Sequence, residues 1–263
     1  MSDPGAIWKR LAGLTPARIG LGRAGSGLPT REVLRFGLDH AQARDAVHAP
    51  LDEAALARGI ADLGFATLTV ASQAPDRATY LRRPDLGRRL GAEDRAALRA
   101  RAAGADLAIV VADGLSARAV HENAAPVLAA FKPHAERAGW SLAPVVIARQ
   151  ARVALGDEIG HALGVRAVAV LIGERPGLSS PDSLGIYLTF GPRPGRSDAE
   201  RNCISNVRGA GLAPDLAAFK LDWLFARALA LGLTGVTLKD ESDRALVAGR
   251  ATPALPGESE RPA

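Results

Sequence analysis

VAVLIGERPGLSS, residues 168–180, is the stretch whose reading decides the fold. Val168 to Ile172 is an apolar run with no polar interruption, the pattern of a strand covered on both faces. At Gly173 the run stops, and Glu174, Arg175, Pro176 and Gly177 follow at once. A connecting loop needs the turn-forming glycines and proline. It does not need an acid and a base side by side. The stretch therefore predicts a buried strand that ends either in a turn carrying an ion pair or in a site.

Outward from it, other segments repeat the pattern. ATLTVAS (66–72), DLAIVVADG (106–114), APVVIARQ (143–150) and SLGIYLTF (183–190) read as strands. Between them the periodicity predicts helices over Ala92–Ala103, from Ser116 to Lys132 and over ALGDEIGHALG (154–164), and a last one over Pro214–Leu231. ATYLRR (78–83) reads as the return strand of a hairpin after a SQAPD turn, GVTL (235–238) as an edge strand, and ERPA (260–263) as a tail. Strands alternating with helices imply an α/β domain, Rossmann-like with a mainly parallel sheet, over residues 66–263. Residues 1–65 read as a small helical N-terminal domain. Within it, LTPARIGLGRAGSGLPT (14–30) is too rich in glycine and proline for a helix. Thr30 reads as the cap of a helix reaching about Ala46, with Val33, Leu34, Leu38 and Ala41 as its apolar face. Asp52 caps another helix reaching about Leu63.

In a parallel sheet the loops after the strands open on one edge, and ligands collect there. ADGLS (112–116), RQARV (149–153) and GERPG (173–177) are three such loops, and SDAERNCISN (197–206) follows the strand over 183–190. Asp113, Val153, Glu174 and Cys203 are thus expected to converge. Read as a plain turn, Glu174-Arg175 is a surface ion pair worth about 1 kcal/mol or less. Read as a site, Glu174 accepts hydrogen bonds from hydroxyls or amides, and Arg175 can grip a phosphate with two N–H groups. Cys203, with no histidine at nucleophile spacing, reads as a small buried hydrophobe or a contact to an apolar ligand surface.

The totals narrow the classes. The chain has 263 residues, 48% hydrophobic and 23% charged, enough for a substantial core. No apolar run approaches a membrane helix, and MSDPGAIWKRLAG lacks an apolar signal core, so the expected location is cytoplasmic, without membrane association. The single cysteine forbids an internal disulfide. The formal charge of +5 invites a nucleic-acid reading, but 29 of the 33 basic residues are arginines scattered among acidic neighbours, with no basic stripe carrying aromatics, so no nucleic acid is expected. The five histidines, His40, His48, His121, His134 and His161, hold no zinc-helix spacing. GLGRAG (20–25) matches a dinucleotide fingerprint only superficially, since no strand precedes it. The residues describe a binding domain, or one subunit of an enzyme.

Longer blocks add to this. LTPARIGLGRAGSGLPTREVLRFGLDHAQARDAVH (14–48), YLRRPDLGRRL (80–90), VADGLS (111–116), ARVALGDEIG (151–160), LIGERPGLSSPDSLGIYLTF (171–190) and RNCISNVRGAG (201–211) resemble, in order, the small subunit family of ethanolamine ammonia-lyase. The resemblance implies a lyase that converts ethanolamine to acetaldehyde and ammonia with adenosylcobalamin. It implies a large-subunit partner that carries the substrate site, a higher hetero-oligomer, and packaging within a bacterial microcompartment in some members. It assigns no catalytic residue and no metal ligand to this chain. It implies cofactor contacts at Val153, Glu174 and Cys203, where this sequence keeps the family's residue types. The Asp-x-His-x-x-Gly pattern of cobalamin enzymes that ligate cobalt through a protein histidine is missing: IGHALG (159–164) has Ile159 in place of the aspartate, so His161 reads as an ordinary helix residue. Two rivals stay open beside this expectation, a free-standing nucleotide-binding α/β protein and a non-catalytic scaffold subunit.

Overall fold

The structure, a computed structural model, describes residues 4–15, 17–102 and 104–247. Six strands, β1 (Thr67–Ala71), β2 (Leu107–Ala112), β3 (Val145–Arg149), β4 (Ala167–Gly173), β5 (Leu184–Phe190) and β6 (Asn202–Val207), form one sheet. Their order is β1-β3-β2-β4-β5-β6. The first four are mutually parallel, whereas β5 runs antiparallel to β4 and β6 antiparallel to β5. The expected α/β class with a mostly parallel sheet, preceded by a helical part, is borne out.

Successive side chains of a strand point to opposite faces, so the unbroken apolar runs of β2 and β4 feed two cores. Leu107, Ile109, Val111, Ala169 and Leu171 face one core, built with α6 (Ala117–Ala138) and α8 (Pro214–Leu231) around Phe131, Trp140 and Phe225. Ala108, Val110, Ala112, Val168 and Val170 face the other, built with α5 (Ala92–Arg99) and α7 (Leu155–Leu163). β2 feeds α6 on one face and β3 feeds α7 on the other. The loops after these two strands therefore diverge and leave a crevice at the carboxyl edge, the topological position at which ligands bind in such sheets.

The N-terminal part holds α1 (Pro4–Ala12), α2 (Thr30–His48) and α3 (Glu53–Asp62). Asp52 caps α3 as expected, accepting from the Ala55 N–H at 2.9 Å, and Leu56 and Ile60 seat α3 in the first core. Several expectations are corrected. Pro29 rather than Thr30 occupies the cap position of α2, with no side-chain cap bond. Val33, Leu34 and Leu38, read as the packed face of that helix, are exposed, Leu34 at 68%. ATYLRR forms helix α4 (Arg77–Arg82) instead of a hairpin strand, because Asp76 caps it by accepting from the Thr79 N–H at 2.7 Å. The helix from Ala92 ends at Arg99, short of Ala103. Helix α6 runs through Pro126 and Pro133 to Ala138 and stops where Gly139 adopts the left-handed conformation. GVTL is a turn, closed by the Leu238 N–H donating to the Gly235 carbonyl at 2.9 Å. Helix α1, strand β6 and helix α9 (Ser242–Val247) lie outside the elements expected from the sequence. ERPA lies outside the described residues.

Candidate functional site

At the carboxyl edge three loops pack against one another. Asp113, directly after β2, is buried and accepts hydrogen bonds from the backbone N–H groups of Gly114, Gln150 and Ala151 at 2.9–3.0 Å. Burial pushes its carboxyl upward, against the pull of those N–H groups and of Arg77, whose Nη1 lies 3.5 Å away. Asp113 thus ties the β2 loop to the β3 loop and is a structural anchor. The β4 loop joins them through the Leu115 N–H, which donates to the Gly173 carbonyl at 2.9 Å. This approach is so close that a Cβ on Gly173 would lie 2.1 Å from the Ser116 carbonyl oxygen. The glycine ending the apolar run is there because a second backbone crosses it.

Behind the loops, Tyr80 of α4 is fully buried and its hydroxyl donates to the Ala151 carbonyl at 3.0 Å. Two guanidinium groups sit on its ring, Arg77 at 4.8 Å and Arg152 at 4.2 Å from the centroid. A cavity of about 150 Å³ opens in front. Tyr80, the β2-loop residues Gly114 and Leu115, the β3-loop residues Arg152 and Val153, and Ile172, Gly173, Glu174, Arg175 and Tyr187 line it.

The ion pair that GERPG offers in the sequence does not form. Glu174 accepts from Ser183 Oγ at 2.5 Å, from Ser205 Oγ at 2.7 Å and from the Asn206 N–H at 3.3 Å. Gly185 gives it room, since a Cβ there would lie 2.9 Å from Glu174 Oε1 and 3.0 Å from Tyr187 Cε2. Cys203 lies on β6 directly opposite Tyr187 of β5. The segment SDAERNCISN is therefore a 3₁₀ turn and a strand rather than a loop. Cys203 is exposed rather than a buried hydrophobe. Local desolvation of the thiol and the neighbouring Glu174 charge nevertheless hold it above its ordinary pKa, although the Tyr187 hydroxyl hydrogen-bonded to it acts in the opposite sense. The protonated thiol is a poor nucleophile. Arg201, two residues before it, fixes the start of β6 through a buried, two-pronged ion pair to Asp157 at 2.6 and 2.7 Å.

The structure thus brings Val153 and Glu174 into the lining of one cavity and sets Cys203 beside it through Tyr187. Asp113 lies just behind and does not line it. Ser183, Ser205, Tyr187 and Arg152 are functional candidates that the sequence reading missed. Serines one and two strands away carry no local signal, but Tyr187, half-buried in a mostly apolar strand, did. A larger cavity of about 500 Å³ lies between the N-terminal segment and residues 178–181 and 208–210 and includes none of the three expected contacts. Among the described residues no cluster of histidine, cysteine or carboxylate side chains could hold a metal ion, and no helix is long and apolar enough to cross a membrane.

Comparison with known proteins adds an independent line. Residues 5–239 match the family model described as ethanolamine ammonia-lyase light chain. The chain is 56% identical over 250 residues to the ethanolamine ammonia-lyase small subunit of Xanthomonas campestris pv. campestris, covering 94% of this chain and 92% of that protein. It is 57% identical over 230 residues to the small subunit of Rhodopseudomonas palustris, covering 87% and 88%. With that of Azotobacter vinelandii it shares 55% over 246 residues, covering 92% and 91%. A match that runs from α1 past α8, with similar relatives covered almost end to end, leaves one assignment: the chain belongs to the ethanolamine ammonia-lyase light-chain family.

Proposed function

We propose that this chain works as the small subunit of an adenosylcobalamin-dependent ethanolamine ammonia-lyase, holding an edge of the cofactor against a large subunit that binds the substrate. The observation that carries the reading is the cavity itself: Val153 and Glu174, from loops after different strands, line it together, with Cys203 beside it. A cavity of about 150 Å³ is too small for a whole cobalamin. It suits one edge of that molecule, with the remainder covered by a second chain.

The residues present fit such an edge. The corrin periphery carries amide groups. Glu174, acceptor-only while ionised, offers them an oxygen. Val153, Ile172 and the Tyr187 ring offer apolar surface. When bound, the cofactor supplies the radical chemistry, and the protein binds, orients and excludes water. Glu174 does its part with its own position fixed by two serine hydroxyls and one backbone N–H. The raised pKa of Cys203 keeps a proton on sulfur, so the thiol is a contact and takes no part as a base. No residue of this chain is assigned a bond-breaking step, and both the large subunit and a higher hetero-oligomer are parts of the proposal.

The test is co-expression with the large subunit and an assay of ethanolamine-dependent ammonia release, with and without adenosylcobalamin. Release that needs both chains and the cofactor supports the reading. Release by the large subunit alone would reduce this chain to a scaffold.

A further inference from the structure

We infer that Arg152 and Arg175 together bind the phosphodiester of the cofactor, an inference that rests on the cobalamin reading above. The cavity wall carries two guanidinium groups and one carboxylate. That carboxylate, Glu174, is engaged by Ser183, Ser205 and Asn206 and pairs with neither arginine. Arg175 is exposed at the rim and has no hydrogen-bond or ion-pair partner among the described residues. Arg152 spends one N–H on the Tyr80 carbonyl at 3.2 Å, while its Nε is buried with no acceptor. Buried N–H groups are rarely left without an acceptor, because the loss of hydration is then uncompensated. Three other arginines do meet a carboxylate, Arg201 with Asp157, Arg208 with Asp182 and Arg95 with Glu158.

Two unneutralised cations on one small cavity call for an anion. The peripheral amides of the corrin are neutral, and the phosphodiester that links the macrocycle to its nucleotide is the one anionic group on the cofactor's periphery. A planar guanidinium meets a phosphate with two parallel N–H bonds. Glu174 then serves the amides and the arginine pair serves the phosphate, which divides the wall into an acceptor half and a donor half.

The experiment compares two corrinoids, hydroxocobalamin and a cobinamide that lacks the phosphate-nucleotide arm. Binding to the assembled two-subunit complex is followed by the corrin absorption spectrum, with no turnover involved. Arg175→Met, at an exposed position, and Arg152→Lys, which keeps the charge but loses the fork, are compared with the unmodified complex, with assembly checked by size exclusion. Each substitution should weaken cobalamin binding by roughly tenfold or more, the scale of one lost hydrogen bond to a charged group. Cobinamide binding should stay within about twofold, because a contact to the absent arm cannot be lost. Equal weakening of both corrinoids, or no weakening of either, overturns the inference and leaves the cofactor reading standing. Failure of the unmodified complex to bind either corrinoid removes the cofactor reading and this inference with it.

Discussion

Glu174 shows how a side chain next to an arginine in sequence can have other partners in space. Its Oε2 accepts from Ser183 and Asn206 and its Oε1 from Ser205, which leaves Oε1 one further acceptor site, so its position is set by the β5 and β6 side and not by the turn in which it sits. That arrangement separates two substitutions. Glu174→Gln keeps the shape and one acceptor, whereas Glu174→Ala removes the contact and releases both serines. On the proposed reading, Ala raises the dissociation constant for adenosylcobalamin by about ten- to a hundredfold, the scale of one hydrogen bond to a charged group at roughly 1.5–3 kcal/mol, and Gln by less. The Michaelis constant for ethanolamine should stay put in both. Unchanged cofactor affinity in Glu174→Ala, in a properly assembled complex, would return GERPG to the status of a turn. Cys203 makes a milder case. Its thiol is held protonated, so Cys203→Ala should preserve most of the turnover at saturating cofactor and weaken cofactor binding only a few-fold. Complete loss of turnover in a folded, loaded complex would contradict a contact role.

At the scale of the element, the decisive contacts are backbone against backbone. Gly173 lies so near the Ser116 and Asp113 carbonyls that any β-carbon must move the β2 loop. Gly173→Ala should therefore destabilise the chain by on the order of 2 kcal/mol or more, measurable by urea denaturation, through overpacking at a site with no flexible neighbour. Arg201→Met leaves Asp157 as a buried charge without its partner, and about 3–5 kcal/mol of lost stability is expected. A small effect there would mean that water reaches the pair. These two sites also mark what the sequence could and could not convey. The apolar runs of β2, β3 and β4 were legible because both faces of each strand are buried and no polar residue interrupts them. β6 was not, because one face packs on α8 while Cys203, Ser205 and Asn206 are exposed, which makes NCISNV read as a loop. ATYLRR read as a strand because its aromatic and apolar residues fit both periods, and a cap three residues before Thr79 decided for the helix. The convergence of Val153 and Glu174 followed from the strand order. The serines that hold Glu174 followed from strand register, which a single sequence does not carry.

For the whole molecule, the clearest mismatch between pattern and packing is helix α2. Its heptad-like apolar positions predicted a covered face, yet Leu34 is 68% and Leu38 59% exposed, with Phe36 on the same helix and Ile7, Trp8 and Leu11 of α1 also open to solvent. Hydrophobic spacing reports what a residue is selected to meet in the complete assembly, and Leu34 and Leu38, one turn apart on the same face of α2, make an open apolar surface of the kind that marks an interaction site. On the proposed reading the large subunit covers it. The isolated chain should then be catalytically silent, and mixing the two subunits should give one large species on size exclusion. Replacing Leu34 and Leu38 by serine should leave the chain's own thermal midpoint almost unchanged, because neither side chain belongs to its core. If both become buried on pairing, each contributes roughly 1.5–3 kcal/mol to the interface. The double substitution should then weaken association by about two orders of magnitude or more. Analytical ultracentrifugation of the mixed subunits over a dilution series reads that shift directly. Unaltered assembly would place the large subunit elsewhere on this chain and leave α2 free for another partner.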